Sequence, residues 1–294
     1  MSKKWKDFLL SSGLPLEHDV KQILEKHNII RPIEYRYERH NENGVPVVFS
    51  TDIYGTHITD QNIFLELLIE CKYRHNSVQW IFTPSKHYPI IDKFSDVFIT
   101  LDELSDGKRI NESKINSAAD RYDLCSKGVE ILNDKFNPKS IKQCVQQLKF
   151  AVVNVTADAL RDQVDRAYGE SNPIFVIVPI IVTTAQLWRI KPELSMEDIL
   201  EAKELEEVAV KKDILILQDE PDNELIRYTQ KKFEEHFTQE QKIELDAQMK
   251  NGFEFYVRTF SQNHPSMFVV INYDRFESSI KNLISFFGQD SLLK

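Results

Sequence analysis

Asp52, Glu70 and Lys72 are the residues of this chain whose types and spacing could do chemistry together. Glu70 and Lys72 stand two apart in the run LLIECKYR, residues 67–74. Side chains two apart on a strand share a face. The carboxylate and the ammonium therefore point the same way, while Leu67, Ile69 and Cys71 point the other way, into a core. Asp52 lies near the end of a second strand-like run and can sit beside Glu70 if the two strands pair. Two carboxylates held together repel unless a cation lies between them. Hard divalent ions take oxygen ligands, often one or two carboxylates with water and phosphate oxygens. A lysine beside such an ion can orient or deprotonate a water, or neutralise charge on a phosphate. This is equipment for hydrolysing a phosphodiester.

The Glu-x-Lys spacing alone carries little weight, because it also occurs at Glu112-Lys114 and Glu201-Lys203. Glu112 lies in a polar stretch without a strand pattern. Glu201 lies in an acidic segment read as a helix, where residues two apart do not face each other. Only Glu70-Lys72 ends an apolar strand and follows an aspartate at the end of a hairpin strand.

The elements that must position these groups follow from periodicity. Leu16, Val20, Ile23 and Leu24 recur at helical spacing from about Pro15 to Asn28. Residues 33–39 alternate as a strand, Asn43-Gly44 signals a hairpin turn, and a second strand runs from about Val45 to Ile53. A polar loop containing Gly55 precedes a third strand, from about Ile63 to Tyr73. Residues 85–139 are mostly polar and read as an insertion with short helices. A helix from about Ser140 to Val153 and a buried apolar strand at Ile174 to Thr183 follow. Further on, an acidic helix is expected at Ser195 to Ala209, a strand at Ile214 to Gln218 and a helix over Asn223 to Lys250. A strand at Met267 to Tyr273 and a helix at Asp274 to Phe287 close the chain. The expected fold is a mixed α/β sheet flanked by helices. Its expected organisation is a core over residues 1–190, with the insertion at about 85–139, and a C-terminal α/β extension over 191–294 packed on it.

Composition bounds the function. The formal net charge of −9 argues against a protein that coats nucleic acid through charge alone. It leaves room for a local groove in which a bound metal supplies positive charge. Cys71, Cys125 and Cys144 form no Cys-x-x-Cys pair, which points to reduced thiols and no structural zinc. The first ten residues are charged and no apolar run is long enough to span a bilayer, so a cytoplasmic location without membrane contact is expected. No Walker-type phosphate loop, His-Glu-x-x-His or Gly-x-Ser-x-Gly motif occurs. On the helix near 140–153, Lys142 and Lys149 share a stripe that could meet a phosphate backbone.

The stretch from Gly13 to Phe82 resembles the PD-(D/E)xK, or restriction-endonuclease-like, phosphodiesterase superfamily. GLPLEHDV at 13–20, STDIYG at 50–55, LIECKYR at 68–74 and the aromatic VQWIF at 78–82 carry the resemblance. It implies a helix-strand-strand-strand-helix-strand core, the order read above. It also implies that Asp52 and Glu70 bind Mg²⁺ (or Mn²⁺), that the Cys71 backbone carbonyl is a further ligand, and that Lys72 serves catalysis. Glu17 would assist the metal through water, and Gln147 on the following helix is a weaker candidate. Thr51 stands where the family name places a proline. The resemblance implies nuclease activity, with DNA as the expected substrate, in bacterial defence, restriction or repair. A homodimer and a regulatory protein partner are further expectations. The alternative is a module that keeps the fold but is silent, or becomes active only with a partner.

Overall fold

Strand β8 (Ile174–Thr183) is buried at all ten positions, which explains why its sequence is apolar up to the closing Thr183. It lies between parallel neighbours, β3 (Ile63–Lys72) and β12 (Met267–Asn272), and layers on both faces keep water away. Each such side chain contributes about 2 kcal/mol by leaving water. These observations come from a computed structural model. It describes residues 4–40, 44–85, 97–105, 110–111, 113–114, 122–132, 135–137, 139–167, 169 and 172–293.

Helices α1 (Lys4–Ser11) and α2 (Leu14–Lys26) open the chain. Strands β1 (Ile30–His40), β2 (Pro46–Ile58) and β3 then form an antiparallel meander. Strands β4 (Gln79–Pro84), β5 (Ile99–Leu101), β6 (Asp123–Leu132) and β7 (Lys135–Asn137) precede the long helix α3 (Lys139–Val164). After β8 come β9 (Gln186–Ile190), the short helices α4 (Met196–Glu201) and α5 (Leu205–Val208), β10 (Ala209–Lys212) and β11 (Ile214–Gln218). Helices α6 (Asn223–His236), α7 (Gln239–Gln248) and α8 (Phe253–Asn263), then β12 and α9 (Phe276–Phe287), complete the order.

The described strands make one mixed sheet, ordered β1-β2-β3-β8-β12-β11-β6-β4-β9-β10, with β5 on β8 and β7 on β6. One face carries α3 and, beyond it, α6 to α8, around a core that includes Leu148, Phe175, Phe233 and Phe268. The other face carries α2 and α9 around Val20, Ile53, Ile69 and Phe276. The protein is thus a mixed α/β sheet flanked by helices. Strands β11 and β12, from the region read as a C-terminal extension, fill the sheet between β8 and β6.

Several local expectations need correction. The polar loop at Gly55 is the interior of β2. A Cβ there would come within 2.6 Å of Ile29 Cγ2, so glycine lets the α2–β1 connection pack against the strand. The stretch 85–139, expected to hold short helices, supplies β6 to the sheet. Its polarity hid it: buried Glu130 is satisfied by Arg74, Trp80 and Asn137 rather than replaced by an apolar residue. The acidic segment at 195–209 is two short helices, each with its own capping box, running into β10. The single helix expected over 223–250 breaks at Phe237, where Thr238 starts α7 with a capping box.

Candidate active site

The antiparallel ladder between β2 and β3 runs from Ile58 opposite Phe64 to Ile53 opposite Ile69. Beyond that pair, Glu70, Cys71 and Lys72 continue beside β8 alone, opposite Ile181, Val182 and Thr183. The cause lies in β2. Between the pairs Ile33–Tyr54 and Tyr35–Thr51, two steps on β1 match three on β2, so β2 carries an extra residue at 52–53. A bulge of this kind bends a strand and re-aims a side chain. Here it turns Asp52 toward β3, where its Oδ2 accepts the Cys71 backbone N–H at 2.7 Å.

Glu70 is fully buried. Its Oε1 accepts from Lys72 Nζ at 3.0 Å, as expected for side chains sharing a strand face. Its Oε2 is buried without a hydrogen-bond partner. Burial first, and the Asp52 charge second, push the Glu70 carboxyl up to about 8. Asp52 is also raised, by burial, although the Cys71 amide and Lys72 pull it down. Glu17, on α2, is raised by burial and then by Asp52, while Lys21 and Lys72 oppose the shift. Burial would depress the Lys72 ammonium, but Glu70 and further neighbours outweigh it, so it is held above its ordinary value. Lys72 is therefore a firm cation, suited to neutralising a phosphate and unsuited to taking a proton in this state.

The structure thus brings Glu17, Asp52, Glu70 and Lys72 into one electrostatic cluster. The three carboxyls all resist ionisation, chiefly because burial disfavours their charged forms, and the Asp52 charge adds to this at Glu70 and Glu17. The pair Asp52 and Glu70, with an orphaned buried oxygen, fits a hard divalent ion, which needs only one or two carboxylates besides water and substrate oxygens. Among the described residues, no three His, Cys, Asp or Glu side chains form a ready-made cage. The Cys71 side chain lies in the core on the α2 side. Gln147 reaches the same neighbourhood from α3: its Nε2 donates to the Ser50 carbonyl at 3.2 Å, and its carbonyl accepts from Tyr37 Oη at 3.0 Å. It clamps the β1–β2 hairpin beside Asp52.

The expected stripe of Lys142 and Lys149 does not form. Lys142 is exposed, but Lys149 is buried, donating to the Glu220 carbonyl at 2.6 Å and pairing with Asp219 at 2.8 Å. Helix α3 is covered around most of its girth, so positions two turns apart do not share one solvated face. Of the other Glu-x-Lys pairs, Glu112 lies outside the described residues, and exposed Glu201 ends α4.

Sequence reasoning missed the groups that fix the end of β3. Thr183 Oγ1 donates to the Lys72 carbonyl at 2.9 Å. Thr184 Oγ1 accepts the Arg74 N–H and donates to the Arg74 carbonyl, both at 2.6 Å. The Arg74 guanidinium bonds Glu130 and Ser140, and Trp80 Nε1 donates to Glu130 at 2.8 Å. The one available signal was the polar pair Thr183-Thr184 closing an apolar strand.

Among the described residues no helix is long and apolar enough to cross a membrane. No family model matches the chain, and no curated protein or solved structure matches it.

Proposed function

We propose that this chain is a metal-dependent nuclease of the PD-(D/E)xK kind, acting on nucleic acid and most readily on DNA. The observation that carries the reading is the buried, unpartnered Oε2 of Glu70 beside Asp52. An orphaned buried carboxylate oxygen costs free energy that a cation would return. The element order is compatible with the same reading: α2, β1, β2, β3, α3 and β8 stand in the helix-strand-strand-strand-helix-strand order that the motifs imply, with β4 to β7 inserted between β3 and α3.

Asp52 and Glu70 would hold Mg²⁺ or Mn²⁺, with the Cys71 carbonyl as a further ligand and Glu17 acting through water. Such an ion, when bound, polarises a phosphoryl oxygen and makes water acidic enough to attack at neutral pH. Lys72, kept protonated by Glu70, neutralises charge that develops on the phosphate. The Asp52 bond to the Cys71 amide fixes the carboxylate before substrate arrives.

Linear and circular double-stranded DNA, single-stranded DNA and RNA, each incubated with Mg²⁺, Mn²⁺ or EDTA, test the reading. Metal-dependent cleavage by the wild type, lost in Asp52→Asn and Lys72→Ala, is expected. Binding of nucleic acid without cleavage of any substrate would replace the enzyme with a silent or partner-activated module.

A further inference from the structure

Two exposed apolar surfaces of opposite charge lie outside the candidate site. Helix α1 buries none of its residues. Trp5, Phe8, Leu9 and Leu10 are exposed, Phe8 at 72%. Lys4 and Lys6 flank them, with Asp7 as the only acid of the helix. Helix α4 also buries nothing, and Met196, Ile199 and Leu200 form an exposed stripe at i, i+3 and i+4, Leu200 at 77%. Glu197, Asp198 and Glu201 flank that stripe. An eight-residue helix is marginal in water unless its apolar face is covered. Contiguous exposed apolar side chains of this kind mark an interaction surface.

The two surfaces complement each other, and both stand exposed within one molecule. Helix α1 leads into α2, which packs on β1 and β2 at one end of the sheet. Helix α4 runs through α5 into β10, the strand at the other end. A like-with-like contact would set lysine against lysine or acid against acid.

We infer that α1 of one copy docks on α4 of a second copy, the apolar stripes packing together while Lys4 and Lys6 face Glu197 and Glu201. A twofold axis makes this contact twice and closes a dimer. The inference is independent of the nuclease reading, because it uses no residue of the Asp52–Glu70–Lys72 cluster.

Light scattering after gel filtration, over a rising concentration series, tests it. The wild type is expected at the mass of two chains, shifting toward one chain as salt screens the charges. Lys4→Glu with Lys6→Glu, and separately Glu197→Lys with Glu201→Lys, should each halve the mass while leaving the melting temperature of the monomer unchanged. All four substitutions together should restore the double mass, an outcome that misfolding could not produce. A wild type at single-chain mass throughout, charge variants that keep the double mass, or failure of the combined variant to recover it would overturn the inference. So would single-chain wild type binding phosphatidylserine vesicles through α1.

Discussion

Glu70 and Glu130 are both buried carboxylates near the end of β3, and they are treated in opposite ways. Glu130 meets Arg74, Trp80 and Asn137, and hydrogen bonds from Arg74, Trp80 and Ser140, with the Arg74 charge, hold its carboxyl below the ordinary value in spite of burial. Glu70 meets Lys72 through one oxygen, is helped a little by the Asp52 backbone amide, keeps a buried Oε2 without a hydrogen-bond partner and is still pushed up to about 8. A buried charge that serves the fold is fully satisfied, because each lost partner costs free energy in a low dielectric. One left short, next to a second carboxylate, is a functional-site candidate, and the proposed function assigns it a cation. Arg74 follows Lys72 by two residues, so the satisfied network anchors the strand on which the unsatisfied group rides.

Breaking the unsatisfied side should abolish activity and spare the fold. Asp52→Asn is expected to lower the cleavage rate by about a thousandfold, or about 4 kcal/mol of barrier, with little change in the urea midpoint. Breaking the satisfied side should do the reverse. Arg74→Ala strands Glu130 in the interior and should cost about 4 kcal/mol of stability in denaturant unfolding.

The pH dependence sharpens the contrast. Because the folded protein holds the Glu70 proton more tightly than the unfolded chain does, ionising Glu70 opposes folding. That penalty is absent below the ordinary value of 4.5, grows as pH rises and is complete above about 8. Glu70→Gln should therefore stabilise the metal-free protein by on the order of 5 kcal/mol above pH 8 and by nothing in acid. Paired thermal melts across that range would show it; a variant less stable than wild type at high pH would contradict it. Gln147→Ala removes one hydrogen bond of the clamp on β2 and should cost about 1 kcal/mol, read from the same unfolding curves.

What was legible in the sequence was local. The 3.6 period of Leu16, Val20 and Leu24 and the shared face of Glu70 and Lys72 need only near neighbours, and both are found. The apolar run of β8 reads as a buried strand because its content does not depend on which strands flank it. Long-range facts were not legible. That β11 and β12 enter the middle of the sheet depends on pairing across the chain. The burial of Lys149 depends on Asp219 and Glu220, seventy residues away in sequence. The bulge that aims Asp52 is a mismatch between two strands, which neither strand encodes alone. Strand β6 was hidden because its buried glutamate carries its partners from three other elements.

The most direct test is calorimetric titration of Mn²⁺ into metal-free wild type, Asp52→Asn and Glu70→Gln near pH 7. A single site per chain is expected in the wild type, with proton release as Glu70 ionises, and it should be lost in both variants. Wild type that takes up no Mn²⁺, or a Glu70→Gln protein that binds it with unchanged affinity and proton count, would contradict the assignment of Glu70 as the residue waiting for a cation.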